Sequence, residues 1–234
     1  MSTVFNLLAA GGPVMVPILG CSVLTFATAF ERALFWTSLL RREERIVNDV
    51  LDTARRDLNE AAAIAAESKD LPIGRFLLAP LRLKNPSPET FRLAMEAAGD
   101  KEFVRMRKGD KLLETIVAVS PLLGLLGTVT GLIGTFSNLN IGGGGTGEEA
   151  SRAAAGIGEA LITTAAGMIV AIVALLVFRL LVTLQAQQMD YFSEAGNELD
   201  LIYRQYWYEP AVTSLDRHQP DDRAPSGEIA LERY

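Results

Sequence analysis

Residues 153–181 read AAAGIGEALITTAAGMIVAIVALLVFRLL. The run is long and apolar enough to be one membrane-crossing helix, since about twenty such residues span about 30 Å of hydrocarbon. Yet Glu159 and the adjacent threonines Thr163 and Thr164 sit inside it. A carboxylate in hydrocarbon is costly, and by default it marks an ion or proton path. The bland alternative places Glu159 in the outer headgroup region, because the spanning part starts only near residue 157. Spacing alone leaves both readings open.

Two other runs share this character. Residues 13–37 begin with Pro13 and Pro17, in opening turns where a missing N–H costs least. Residues 112–137, LLETIVAVSPLLGLLGTVTGLIGTFS, form the other. The 234-residue chain is 49% hydrophobic with a mean hydropathy of +0.22. That hydrophobicity is gathered into three blocks separated by charged sequence, the pattern of membrane spans. The fold class is therefore an all-α membrane protein with three transmembrane helices. The N-terminus has no basic stretch before its apolar run, which points to a retained first span rather than a cleaved signal peptide.

Basic residues set the orientation. Arg32, Arg41, Arg42 and Arg45 leave the first span, and Arg105, Arg107, Lys108 and Lys111 approach the second. Residues 1–12 carry none, and the Gly-rich loop 138–156 carries only Arg152. The positive-inside rule puts the N-terminus outside and the C-terminus inside. The expected order is an interfacial segment at 1–12, a first span at 13–37 and a cytoplasmic helical region at 38–111. A second span at 112–137, a periplasmic loop at 138–156 and a third span at 157–182 follow. A cytoplasmic helix extension at 183–209 and a disordered, Pro- and Asp-rich tail at 210–234 complete the chain. Ser87 and Pro88 read as the cap and first position of a helix. No stop is legible from Thr90 to Ser137, nor in the third helix before Pro210, so two of the helices should run far into the cytoplasm.

Small residues recur at helical spacing in the second span: Ser120, Gly124, Gly127, Gly131 and Gly134. Gly156, Ala160, Thr163, Gly167, Ala171 and Ala174 answer them in the third. Such stripes let backbones approach closely in lipid. Thr128 and Thr135 share a neighbouring face along which Pro121, Leu125 and Leu132 also lie, and Thr164 lies on a comparable face of the third span. Two readings stand for these hydroxyls: they face a lumen, or each bonds back to a carbonyl one turn earlier.

Other chemistries find little support. The net charge of −6 argues against nucleic acid as a partner. One cysteine, Cys21, permits no internal disulfide. His218 is the only histidine, so no histidine-based metal or catalytic cluster is expected. GGGGTGEE shares only its glycines with a phosphate loop. No cofactor or metal is expected, and an enzyme is the least favoured class.

The segments SPLLGLLGTVTGLIGTF and GIGEALITTAAGMIVAI together resemble the MotA/TolQ/ExbB proton-channel family, the ExbB branch above all. The resemblance covers roughly residues 5–208. It implies a homo-oligomeric ring, a pentamer, around a lumen that holds single-span ExbD-like helices. Protons would pass between the ring and an aspartate of that partner, and a TonB-like protein would carry the work to outer-membrane nutrient import. It also implies residence in the bacterial inner membrane, in contact with lipids. Thr128 and Thr164 match lumen threonines of the family, Glu159 matches its glutamate in the third span, and Pro121 occupies the matching proline. Thr163 stands beside Thr164, and the resemblance does not say which points inward. A TolQ-like or other stator for envelope integrity or motility, and a non-conducting membrane scaffold, are the alternatives.

Overall fold

The structure is a computed structural model, and it describes residues 11–40, 42–137 and 147–216. The described residues are helical throughout, with no strand among them. α1 is Met15–Leu40, α2 Glu43–Ala54, α3 Leu58–Glu67, α4 Pro72–Leu81 and α5 Pro88–Met106. α6 is Asp110–Ser137 and α7 Gly147–Ile202; a π-helix over Tyr203–Tyr208 then leads into α8, Glu209–Asp216. Three helices are long and apolar enough to cross a membrane. They contain the three apolar blocks, and their internal hydrogen bonding satisfies the backbone where no water can.

The chain divides into two compact units. The first comprises residues up to Glu44 together with Gly99–Phe192. Here α1 packs on α6, with Ile18, Thr25 and Leu39 of α1 and Leu113, Ile116 and Ser120 of α6 buried. Thr25 donates its hydroxyl to the Cys21 carbonyl at 2.8 Å, which removes the cost of burying it. Lys108 pairs with Glu31 at 3.2 Å beside this packing.

The second unit comprises Arg45–Ala98 and the chain from Ser193 onward. α4 buries most of its length, from Pro72 to Leu81, and packs on α3. Phe91 stacks on Tyr203 with ring centroids 4.2 Å apart. The Tyr203 hydroxyl donates to the Pro86 carbonyl at 2.6 Å, and the Trp207 indole donates to the Ala54 carbonyl at 2.8 Å. Ala54 ends α2, so the indole takes up one of the carbonyls that a helix terminus leaves unpaired.

Several sequence expectations meet corrections or limits. The uninterrupted helix expected from Thr90 to Ser137 breaks between Met106 and Asp110. Gly109 sits at φ +93, a conformation glycine adopts at little cost. The expected Ser87 cap is present: its Oγ accepts the Thr90 N–H at 3.2 Å. α7 starts at Gly147, inside the stretch expected to be loop. Pro210 does not stop the chain: α8 continues directly from the π-helix, whose Arg204 carbonyl accepts the Glu209 N–H, and runs on to Asp216. The tail expected from 210 is thus helical to Asp216. Most of the 1–12 segment, residues 138–146 of the loop and the chain from 217 lie outside the described residues.

Candidate functional site

Every candidate residue lies on α6 or α7 within the first unit. These two helices approach closely because small residues face each other. A Cβ built on Gly167 would lie 2.5 Å from the Ser120 carbonyl oxygen and 3.1 Å from the Gly124 Cα. One built on Gly124 would lie 3.0 Å from the Thr164 Cα, and one on Gly131 would lie 3.0 Å from the Ala160 Cβ. The two stripes read from spacing therefore meet. Gly134 alone among the α6 stripe has open space where a side chain would be.

The hydroxyls divide into two kinds. Thr128 donates to the Leu125 carbonyl at 2.7 Å and Thr135 to the Gly131 carbonyl at 2.9 Å. These bonds within one helix leave each oxygen able to accept. Thr164 bonds across the seam, donating to the Gly124 carbonyl at 2.8 Å. Thr164 is thus level with Gly124, and Thr128 lies one turn further along α6. Thr163 is 1% exposed and donates to two carbonyls, that of Gly11 at 2.7 Å and that of Glu159 at 2.9 Å. Pro121 and Glu159 are half-buried. Ser120 is buried in the same seam, and its Oγ has no hydrogen-bond partner among the described residues.

A second polar group lies in the same unit, beyond the apolar run of α7. Gln185 donates to both carboxylate oxygens of Asp110 at 3.0 Å. Gln188 donates to Glu43 Oε2, and Glu43 is 3% exposed. The other Glu43 oxygen is buried with no partner among the described residues. Burial pushes the Glu43 carboxyl up to about 7, against the smaller opposing pull of the Gln188 amide. Burial likewise raises Asp110, opposed by the hydrogen bond from Gln185 and by the charges of Arg32 and Arg107. The sequence reading passed over all four residues. Their only signal was a pair of glutamines three apart on a helix otherwise rich in apolar residues. Among the described residues no cluster of His, Cys, Asp and Glu could hold a metal ion.

The arrangement can hold and pass protons at hydroxyl and carboxyl groups.

Comparison with known proteins bears on the family. Residues 68–194 match the profile of the MotA/TolQ/ExbB proton channel family. A Synechocystis sp. protein named for biopolymer transport, ExbB-like 1, is 67% identical over 210 residues, 90% of this chain and 80% of that protein. The biopolymer transport protein ExbB of Salmonella typhimurium is 31% identical over 71% of this chain and 70% of its own length. The Tol-Pal system protein TolQ of Haemophilus influenzae is 29% identical over 82% of this chain and 88% of its own length. A multi-pass membrane protein with three apolar helices and the matched region spanning the glycine seam, this chain belongs to the MotA/TolQ/ExbB proton channel family.

Proposed function

We propose that the chain is the ring subunit of an inner-membrane, proton-driven motor of the ExbB kind. In this reading copies of the chain form a pentameric ring, N-terminus outside, around ExbD-like single-span helices. Proton flow is converted into mechanical work on a TonB-like protein for outer-membrane nutrient import. The observation that supports it is the Thr164 bond to Gly124, which places the Thr164 hydroxyl on the α6–α7 seam one turn from Thr128. Hydroxyls one turn apart along a helix pair can hold water or meet a partner carboxylate, because each both donates and accepts. Glu159 supplies a carboxyl group five residues before Thr164. Pro121 and Thr135 flank these groups on α6, and Thr163 lies beside Thr164 on α7. The spans carry no aspartate of their own, which suits a ring whose main proton carrier comes from a partner helix.

The test begins with native mass after co-expression with a single-span, Asp-bearing protein of the ExbD kind. A ring that retains fewer partner helices than ring subunits is the expected result. A homo-oligomer that never retains such a partner would favour a scaffold instead. Thr128→Val, nearly isosteric but without the hydroxyl, should then abolish proton flux through reconstituted complexes while the ring's mass stays unchanged. Wild-type flux in that variant would refute a proton-path role for Thr128. The TolQ relative supports a second reading, an envelope-integrity stator, which the identity of the co-purifying partner separates from the first.

A further inference from the structure

Gly11 and Gly12 immediately precede α1. Gly12 sits at φ +65, and its carbonyl accepts the Met15 N–H at 3.1 Å as α1 begins. A Cβ built on Gly12 would lie 1.9 Å from Glu159 Oε1 and 3.1 Å from its Cδ. The Gly11 carbonyl accepts the buried Thr163 hydroxyl, and that hydroxyl also reaches the Glu159 carbonyl. Glu159 and Thr163 are one turn apart on a single face of α7. Two consecutive residues of one turn therefore meet two successive turns of the helix that carries the carboxyl group.

We propose that the Gly11–Gly12 turn is a positioning element for the Glu159 carboxyl group. Gly11 fixes the height of this face of α7 through Thr163. Gly12, lacking a Cβ, leaves the space the carboxyl group occupies. The inference rests on Glu159 acting in the proton path, where a group must lie within hydrogen-bond reach of its donor or acceptor to work. The two glycines separate by experiment. A Cβ on Gly11 would press mainly on the Met15 methyl, 2.3 Å away at the end of a flexible side chain, and would touch Thr163 Oγ1 at an ordinary 3.4 Å.

The measurement is the rate at which dicyclohexylcarbodiimide, which attacks protonated carboxyl groups in apolar surroundings, labels Glu159 in the assembled full-length protein. Peptide mapping reads it across a range of pH. Because reactivity falls steeply with misplacement, Gly12→Ala should change the labelling rate about tenfold and Gly11→Ala by less than about twofold. The pH profile of labelling should move in the first variant and not in the second. Wild-type rate and profile in Gly12→Ala would overturn the inference. If Gly12→Ala fails to assemble, Gly12→Ala combined with Glu159→Ala decides. Recovery of the ring's mass shows that the carboxyl group was what the new Cβ met; continued failure assigns the turn to backbone geometry alone and overturns the proposal. Proton flux is scored separately. Altered labelling in Gly12→Ala alongside wild-type flux in Glu159→Gln would remove Glu159 from the proton path and leave the positioning role standing.

Discussion

At Thr164 the long helix α7 satisfies a polar side chain with a backbone carbonyl of α6, that of Gly124. At Gln188, further along the same helix, it does so with the carboxylate of Glu43. The first partner carries no titratable proton and cannot leave without breaking a helix. The second titrates, and its charge is what burial opposes. Where hydrocarbon surrounds the helices, the chain buries polar atoms against its own backbone and gains close packing as well. Beyond the apolar run it buries acids against amides, and stability there becomes sensitive to pH.

The contrast can be broken most forcefully in the seam. Gly167→Val would push a side chain into the Ser120 carbonyl and the Gly124 Cα, neither of which can give way. Overpacking of this kind should destabilise the chain by about 3 kcal/mol, read as a lower denaturant midpoint for loss of helix in detergent. An unchanged midpoint would mean that the two stripes do not meet.

Glu43→Gln sharpens the other side. The folded chain holds the Glu43 proton up to about 7, whereas the unfolded chain releases it near 4.5. Between those values the folded state binds more protons, so stability falls as pH rises and the deficit is complete above 7. From pH 5 to pH 8 the wild type should lose up to about 2.5 kcal/mol through this group. Glu43→Gln should flatten that dependence and melt higher than the wild type at pH 8. An equal slope in both proteins would show that Glu43 is solvated.

Gly134→Ala is the mildest change and the control for the first. It belongs to the same stripe by spacing, but a Cβ there meets nothing within 4 Å. Alanine should leave the chain unchanged or stabilise it by less than about 1 kcal/mol, through helix propensity alone. A loss as large as that of Gly167→Val would mean that another surface packs on Gly134.

The sequence yields the three apolar helices and the seam because both are written as local periodicity: runs of about twenty apolar residues and small residues at spacings of four and three. The Ser87–Pro88 start is legible for the same reason. Contacts between distant positions are not. Thr163 meets Gly11 across 152 positions and Gln188 meets Glu43 across 145, and no pattern within a helix announces either. The break at Gly109 escapes because one glycine within a strongly helical stretch reads as tolerated. The division between α2 and α3 escapes for a different reason. Asp57 reads as one charge among many, yet its carboxylate accepts the N–H groups of Asn59 and Glu60 and starts a new helix.

α7 is an uninterrupted helix from Gly147 to Ile202, so Thr164 and Gln188 stand on one rod about 36 Å apart along its axis. An unbroken helix is stiff to both push and twist, and no hinge lies between these residues to absorb either. A small turn of the rod that lifts the Thr164 hydroxyl off its carbonyl is also a turn at Gln188, where it strains the bond to Glu43. The two ends are geared together, and the gear ratio is one.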